Sequence, residues 1–174
     1  GLQTSLQLKV HLTEVKTANV LGLLPGRDPQ FQEEVVVYTA HHDHLGRTGS
    51  ADDSIYNGAL DNAAGTAQVL AIAEALAAFP VRPRRSVLFL FVAAEEQGLL
   101  GSKFYASHPT FAPGRIAADI NFDGGNIWGR TEDITLIGYG KSSLLRVVEG
   151  EAAKQGRRVY PDPLPDRGHY YRSD

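Results

Sequence analysis

The sequence predicts an α/β fold in three layers, α/β/α, with helices on both faces of a mixed, mainly parallel central sheet. Two continuous apolar runs, VVVYTA at 35–40 and SVLFLFVAA at 86–94, suit strands buried on both faces. Between them, residues 63–79 carry apolar side chains at helical spacing. The order strand, helix, strand then recurs further along, the pattern of a sheet covered by its own crossover helices. At 174 residues the chain fits one domain, 1–174.

Leu6, Leu8, Val10 and Leu12 alternate with polar residues, the period-two mark of a half-buried strand. Residues 18–24 (ANVLGLL) read as its neighbour, ended by Pro25-Gly26, and the two are expected to form an antiparallel edge. VVVYTA is the next strand, and 41–62 reads as a loop rich in Gly and Asp. The helix over 63–79 puts Val69, Leu70, Ala73, Leu76 and Ala77 on one face and stops at Pro80 and Pro83. SVLFLFVAA follows, then a short helix around 98–107. IAADINF at 116–122 and ITLIGY at 134–139 read as two more strands. An amphipathic helix at 142–155, closed by Gly156, comes last.

Composition narrows the function. Lys and Arg number 17 against 20 Asp and Glu, a formal net charge of −3, without the basic stripe of a nucleic-acid binder. Hydrophobic residues at 43% and charged ones at 21% support a packed core. No apolar run approaches the roughly 18 residues that a membrane span needs. With no cysteine, a disulfide scaffold, a thiol nucleophile and a Cys-ligated zinc are excluded together.

Polar chemistry gathers where the strands end. His41-His42-Asp43-His44 follows the strand 35–40, Glu95-Glu96 follows 86–94, Asp123 follows 116–122, and Asp61 stands just before the helix at 63. Ligands of open α/β sheets bind at the carboxyl ends of strands, so these groups are delivered to one edge. Five carboxylates converging there (Asp43, Asp61, Glu95, Glu96, Asp123) cannot all stay ionised without compensating cations. A His-and-carboxylate donor set suits zinc, and less well manganese or cobalt.

Geometry along an extended chain adds roles. His41 and Asp43 fall on the same side, which lets Asp43 accept the second imidazole N–H and fix the His41 tautomer. Glu95 and Glu96 point opposite ways, one toward a metal and one toward substrate as a general base. Ordinary readings compete at each position: Asp61-Asn62 as a helix cap, Asp123-Gly124-Gly125 as a plain turn, paired glutamates as a solvated face. Convergence favours the metal. His42 and His44 should point away from His41, toward outer or rim positions; His11 and His108 read as structural or solvated, and His169 as a rim residue. Gly58-x6-Gly65 lacks the Lys-Ser/Thr ending of a phosphate loop, and neither G-x-S-x-G nor H-E-x-x-H occurs.

TAHHDHLG (39–46), NGALDNAAGTA (57–67), VAAEEQGLLGS (92–102) and NFDGGNIWG (121–129) together resemble the co-catalytic zinc aminopeptidases of peptidase clan MH. That group includes bacterial leucyl aminopeptidases, aminopeptidase Y and the glutamate carboxypeptidases, and order, spacing and strand context agree from about Val35 onward. The resemblance implies a zinc-exopeptidase domain of phosphorylase/hydrolase-like fold, a peptide substrate, and a secreted or periplasmic location. It implies two zincs: His41 and Asp123 on one, Glu96 on the other, Asp61 bridging both, with a cis peptide bond after Asp61. Glu95 would be the general base for a water between the metals, and Asp43 would support His41. The resemblance also implies a last ligand, a His in a Ser-Asp-His motif; Ser173-Asp174 matches its start, and the His is expected at the next position. The chain is accordingly expected to be a fragment, incomplete at its C-terminus, lacking both ends of a larger protein and inactive alone. His42 stands where relatives usually carry an aromatic residue, and His169 where many carry Tyr. Aminopeptidase is the leading reading. A glutaminyl cyclase or a glutamate-type carboxypeptidase on the same scaffold is the enzymatic alternative, and a non-catalytic binding domain the alternative of another class.

Overall fold

The computed structural model describes residues 3–11, 13–49 and 52–174. Its elements, in chain order, are β1 (Val20–Leu24), β2 (Val35–His41), α1 (Ala64–Ala78), β3 (Ser86–Val92), α2 (Leu100–Ser107), β4 (Ile116–Asn121), β5 (Asp133–Leu136), α3 (Leu144–Lys154) and β6 (Arg158–Pro161). Four strands form the main sheet in the order β1-β3-β2-β4. β1 runs antiparallel to β3, while β2 pairs parallel with both β3 and β4. This is the mixed, mainly parallel sheet that the apolar runs predict.

The two central strands are buried nearly throughout because helices cover both faces. On one face, Val35, Val37, Leu88, Leu90 and Val92 pack with Tyr105 of α2. On the other, Ala40, Val87 and Phe89 pack with Val69, Ile72, Ala73 and Leu76 of α1. Burying a side chain of this size contributes about 1.5–3 kcal/mol, so these two clusters dominate the stability of the sheet. The α1 face therefore follows the 69, 72, 73, 76 rows. Leu70 and Ala77, expected on it, point outward instead, Leu70 being 55% exposed.

Two expected strands differ. Residues 3–11 join no ladder, and Leu6, Leu8 and Val10 stay largely exposed, while Leu12 lies outside the described residues. Alternation makes a strand only where a partner edge accepts it, and β1 is paired to β3 alone. The segment expected at 134–139 is a four-residue strand, β5, that pairs parallel with β6 in a separate two-stranded sheet. Its partner β6 was not legible, since RVYP is short and ends in Pro161. α3 ends as expected, with Gly156 in the left-handed region at φ +70°. Among the described residues no helix is long and apolar enough to cross a membrane.

Candidate metal centre

Because β2, β3 and β4 are parallel, their carboxyl ends meet at one edge. His41 is the last residue of β2, its ring 1% exposed, and it sits opposite Val92 at the end of β3. Beyond β3 the chain turns sharply through Ala94, which adopts φ +56°, a conformation rare for any residue with a Cβ. The turn brings the N–H groups of Glu95 and Glu96 onto the Asp43 carboxylate, at 3.0 and 3.3 Å. Asp123 follows β4 by two residues.

Asp61 reaches the same edge from the opposite side. It lies in a wide turn, Ala59–Ala63, where Asp61 and Asn62 leave helical geometry and the bond between them is cis, as the resemblance implies. Asn62 is buried and does the tying: its Oδ1 accepts from Gly65 N–H at 3.0 Å and Gly124 N–H at 2.9 Å, and its Nδ2 donates to the Phe122 carbonyl at 2.9 Å. The cap on α1 is thus Asn62, and Asp61 is left free to face the site. Gly65 is required here, because a Cβ would run into Asn62 Oδ1 and the Phe122 carbonyl.

The carboxylates meet around the buried imidazole. His41 Nε2 stands 3.1 Å from Asp61 Oδ1 and 3.4 Å from Asp123 Oδ1. Its Nδ1 lies 3.2 Å from the backbone carbonyl of Asp43 but 3.7 Å from that residue's carboxylate. The expected orienting contact therefore comes from the Asp43 main chain, the carboxylate being engaged by Glu95 and Glu96. A carbonyl only accepts, so Nδ1 carries a proton, and Nε2 faces two carboxylates. That arrangement needs a positive charge at Nε2. Burial works against one, but the Asp123 hydrogen bond and the charges of Asp123, Glu95 and Asp61 outweigh it and raise the His41 pKa to about 9. In the metal-free chain a proton fills the place where a cation is wanted, and a metal ion would displace it.

Two sets of donors emerge. His41, Asp61 and Asp123 bring one ligand atom each within 4.8 Å of one another, and so do His44, Asp61 and Glu96. Asp61 belongs to both. Nitrogen and oxygen donors without sulfur fit zinc, and the shared carboxylate fits a pair of ions. Glu95 belongs to neither set; it is half-buried beside them, and lost solvation together with the charges of Asp174, Asp123 and Glu96 raises its pKa, against the pull of His41.

The remaining histidines separate cleanly. His44, expected at an outer or rim position, lies behind Glu96, its Nδ1 2.7 Å from Glu96 Oε1. His42 does point away, with Nε2 3.1 Å from the Ala18 carbonyl. His108 stacks on Phe104 at 4.5 Å, His169 faces Asp162 at 3.9 Å, and His11 lies exposed in the unpaired segment. Asp174 was not singled out by sequence, yet it accepts from Ser102 Oγ at 2.6 Å. Burial, with the charges of Asp123 and Asp43, raises its pKa, so it is electrostatically part of the site. Only its place in a Ser-Asp pair hinted at this.

An α/β sheet with an acidic, histidine-bearing centre at its carboxyl edge, built around one shared aspartate, defines a metallohydrolase type of domain. The model of peptidase family M28 matches residues 19–174, and the chain belongs to that family. Leupeptin-inactivating enzyme 1 of Streptomyces exfoliatus is 38% identical over 78 residues, which cover 43% of this chain and 18% of that protein. A probable zinc metalloprotease of Pyricularia oryzae is 34% identical over 110 residues, 63% of this chain and 21% of the other. The solved zinc aminopeptidase of Bacillus subtilis superposes with a TM-score of 0.62 at 26% identity, covering 81% of this chain and 33% of its own. The chain thus spans about a fifth of these curated relatives and a third of the solved enzyme.

Proposed function

We propose that this chain carries the catalytic centre of a zinc-dependent aminopeptidase that hydrolyses the N-terminal bond of peptides. The observation that supports it most is the position of Asp61, common to both donor sets. His41 and Asp123 would hold one zinc, Glu96 the other, and Asp61 would join them. Zinc bound there supplies Lewis-acid polarisation of the peptide carbonyl and of water.

The protein's own groups do the rest. Glu95, its pKa raised and its side chain free of both donor sets, takes a proton from the attacking water and returns it to the leaving amine. Asp43 acts from behind, its carbonyl fixing the His41 tautomer and its carboxylate fixing the Glu95-Glu96 backbone. Asp61 and Asp123, half exposed, leave the centre open from above for a peptide whose cationic free amine suits the surplus of carboxylates.

The test is product analysis on zinc-loaded protein. Peptides with free N-termini should release their first amino acid, and N-terminally blocked peptides should resist. Pyroglutamyl products would indicate the cyclase instead, and release from the other terminus the carboxypeptidase. Glu95→Gln should lower kcat by about 10²–10⁴ with zinc content unchanged. Zinc-loaded full-length protein that releases no N-terminal amino acid would overturn the proposal.

A further inference from the structure

Glu95 and Glu96 owe their positions to a turn that lies beyond the end of β3. Among the described residues only Ala94, at φ +56°, and Leu99, at φ +60°, put a Cβ in the left-handed region, and these two bracket the glutamates. Such conformations cost free energy and persist only where surrounding contacts over-determine them. Within the turn, Gly101 N–H donates to the Ala93 carbonyl at 2.8 Å and Leu100 N–H to that of Ala94 at 3.1 Å. Asp43 holds the crown of the loop through Glu95 and Glu96 N–H.

Asn19 holds its base. Oδ1 of Asn19 accepts from Ala93 N–H at 3.1 Å, and its Nδ2 donates to the Gly101 carbonyl at 2.8 Å. One carboxamide thus spans both ends of the turn. The ladder explains why a side chain is needed. In the register of β1 and β3, Val20 faces Phe91, so Ala18 would face Ala93, but the pairing stops at Val20. The Asn19 amide takes over at that point, while the Ala18 carbonyl lies 3.1 Å from His42 Nε2. The chain before β1 therefore crosses the carboxyl edge of the sheet, beside the donor residues. Gly101 is fitted to this contact, because a Cβ there would run into Asn19 Oδ1 and the Ala93 carbonyl. Only a group that accepts at one end and donates at the other satisfies both partners, which a carboxylate or an aliphatic side chain does not.

We propose that Asn19 is a positioning residue for the reaction: its carboxamide clasps the turn 93–101 and so fixes where Glu95 meets the attacking water. This rests on the aminopeptidase reading above. The hydrogen bonds of Asn19 go to the main chain of the turn, so it acts on Glu95 through the backbone.

The experiment compares the zinc-loaded full-length protein with two variants. Asn19→Ala removes both bonds; Asn19→Asp keeps the shape but sets a carboxylate oxygen against the Gly101 carbonyl. For a peptide with a free N-terminus at saturating zinc, kcat should fall about 10–100-fold in both with KM little changed, the pattern of an outer partner lost from the transition state. Hydrogen exchange of the metal-free protein gives a readout that needs no turnover: residues 93–101 should lose protection while β2 keeps it. Unchanged kcat, or a loss in Asn19→Asp alone, would overturn the inference and leave the aminopeptidase reading standing. Exchange that quickens alike throughout the sheet, the mark of a merely structural residue, would do the same. Natural protein that releases no amino acid would sink the reading and the inference with it. Should neither variant fold, nuclear magnetic resonance of the natural protein decides. An Asn19 Nδ2 proton that exchanges slowly is expected, and one that exchanges as fast as a free amide would refute the clasp.

Discussion

Asp43 anchors the centre twice, through its main chain to His41 and through its carboxylate to the N–H groups of Glu95 and Glu96. Removing the carboxylate leaves two partly buried donors without an acceptor. Asp43→Ala should therefore cost about 1–3 kcal/mol, read from the urea midpoint of the metal-free chain. An unchanged midpoint would show that water replaces the carboxylate. The same stretch limits what alternation can say of His44. Placing it opposite His41 assumes that the strand continues, but β2 ends at His41 and alternation has no force beyond it. Glu95 and Glu96 likewise diverge because Ala94 turns the chain, a left-handed residue that nothing in VAAEEQ announces.

At the scale of elements, strands buried on both faces were legible because burial alone writes an apolar run, as at 35–41 and 86–92. The start of α1 was only half legible. Asp61-Asn62 suggested a single cap, and the structure divides the pair: Asn62 closes the helix while Asp61 turns to the site. Gly65 is what allows it, since Asn62 and the Phe122 carbonyl occupy the space a side chain would need. Gly65→Ala should destabilise the fold by about 1–3 kcal/mol, the usual cost of overpacking. It should also weaken zinc uptake by displacing Asn62 and with it Asp61. Weaker zinc binding at unchanged stability would show that the turn moves independently of the helix.

A second element-scale test concerns β4. Asp119 lies on this strand, 3.2 Å from Thr39 Oγ1, at a groove lined by Val37, Leu90, Tyr105 and Ile116. Burial of its carboxyl, aided by the charge of Asp174 and opposed by the Thr39 hydrogen bond, raises its pKa to about 6 from the usual 3.8. The folded chain then holds a proton that the unfolded chain has lost between those values. Its contribution to stability is greatest below about 3.8 and is lost as pH rises through about 6. Asp119→Asn should remove this slope and raise stability above pH 6. Because the residue is open to solvent on one side, the gain should stay at or below about 1 kcal/mol. Urea midpoints of both chains at pH 4 and pH 7 decide the sign.

For the whole molecule, what sequence missed were pairings between distant segments. Residues 6–11 carry a strand's alternation yet join no ladder, and β5 with β6 form a sheet whose register no local pattern encodes. The centre, by contrast, was legible because three parallel strands end in polar residues, and topology alone brings them together. That convergence makes metal and fold interdependent. Asp43, Asp61, Glu95, Glu96, Asp123 and Asp174 gather around one buried ring, and without a metal their repulsion opposes the folded state. An ion that binds only the assembled centre must stabilise the chain by mass action, about 2.7 kcal/mol when free zinc is 100 times its Kd. For a chain of this size that corresponds to a rise in Tm of roughly 5–11 °C. Magnesium, which prefers oxygen donors and its own water, should give much less. Equal shifts with both ions would mean that the carboxylates act as a diffuse charge cluster, and that the His41 lone pair is not what selects the metal.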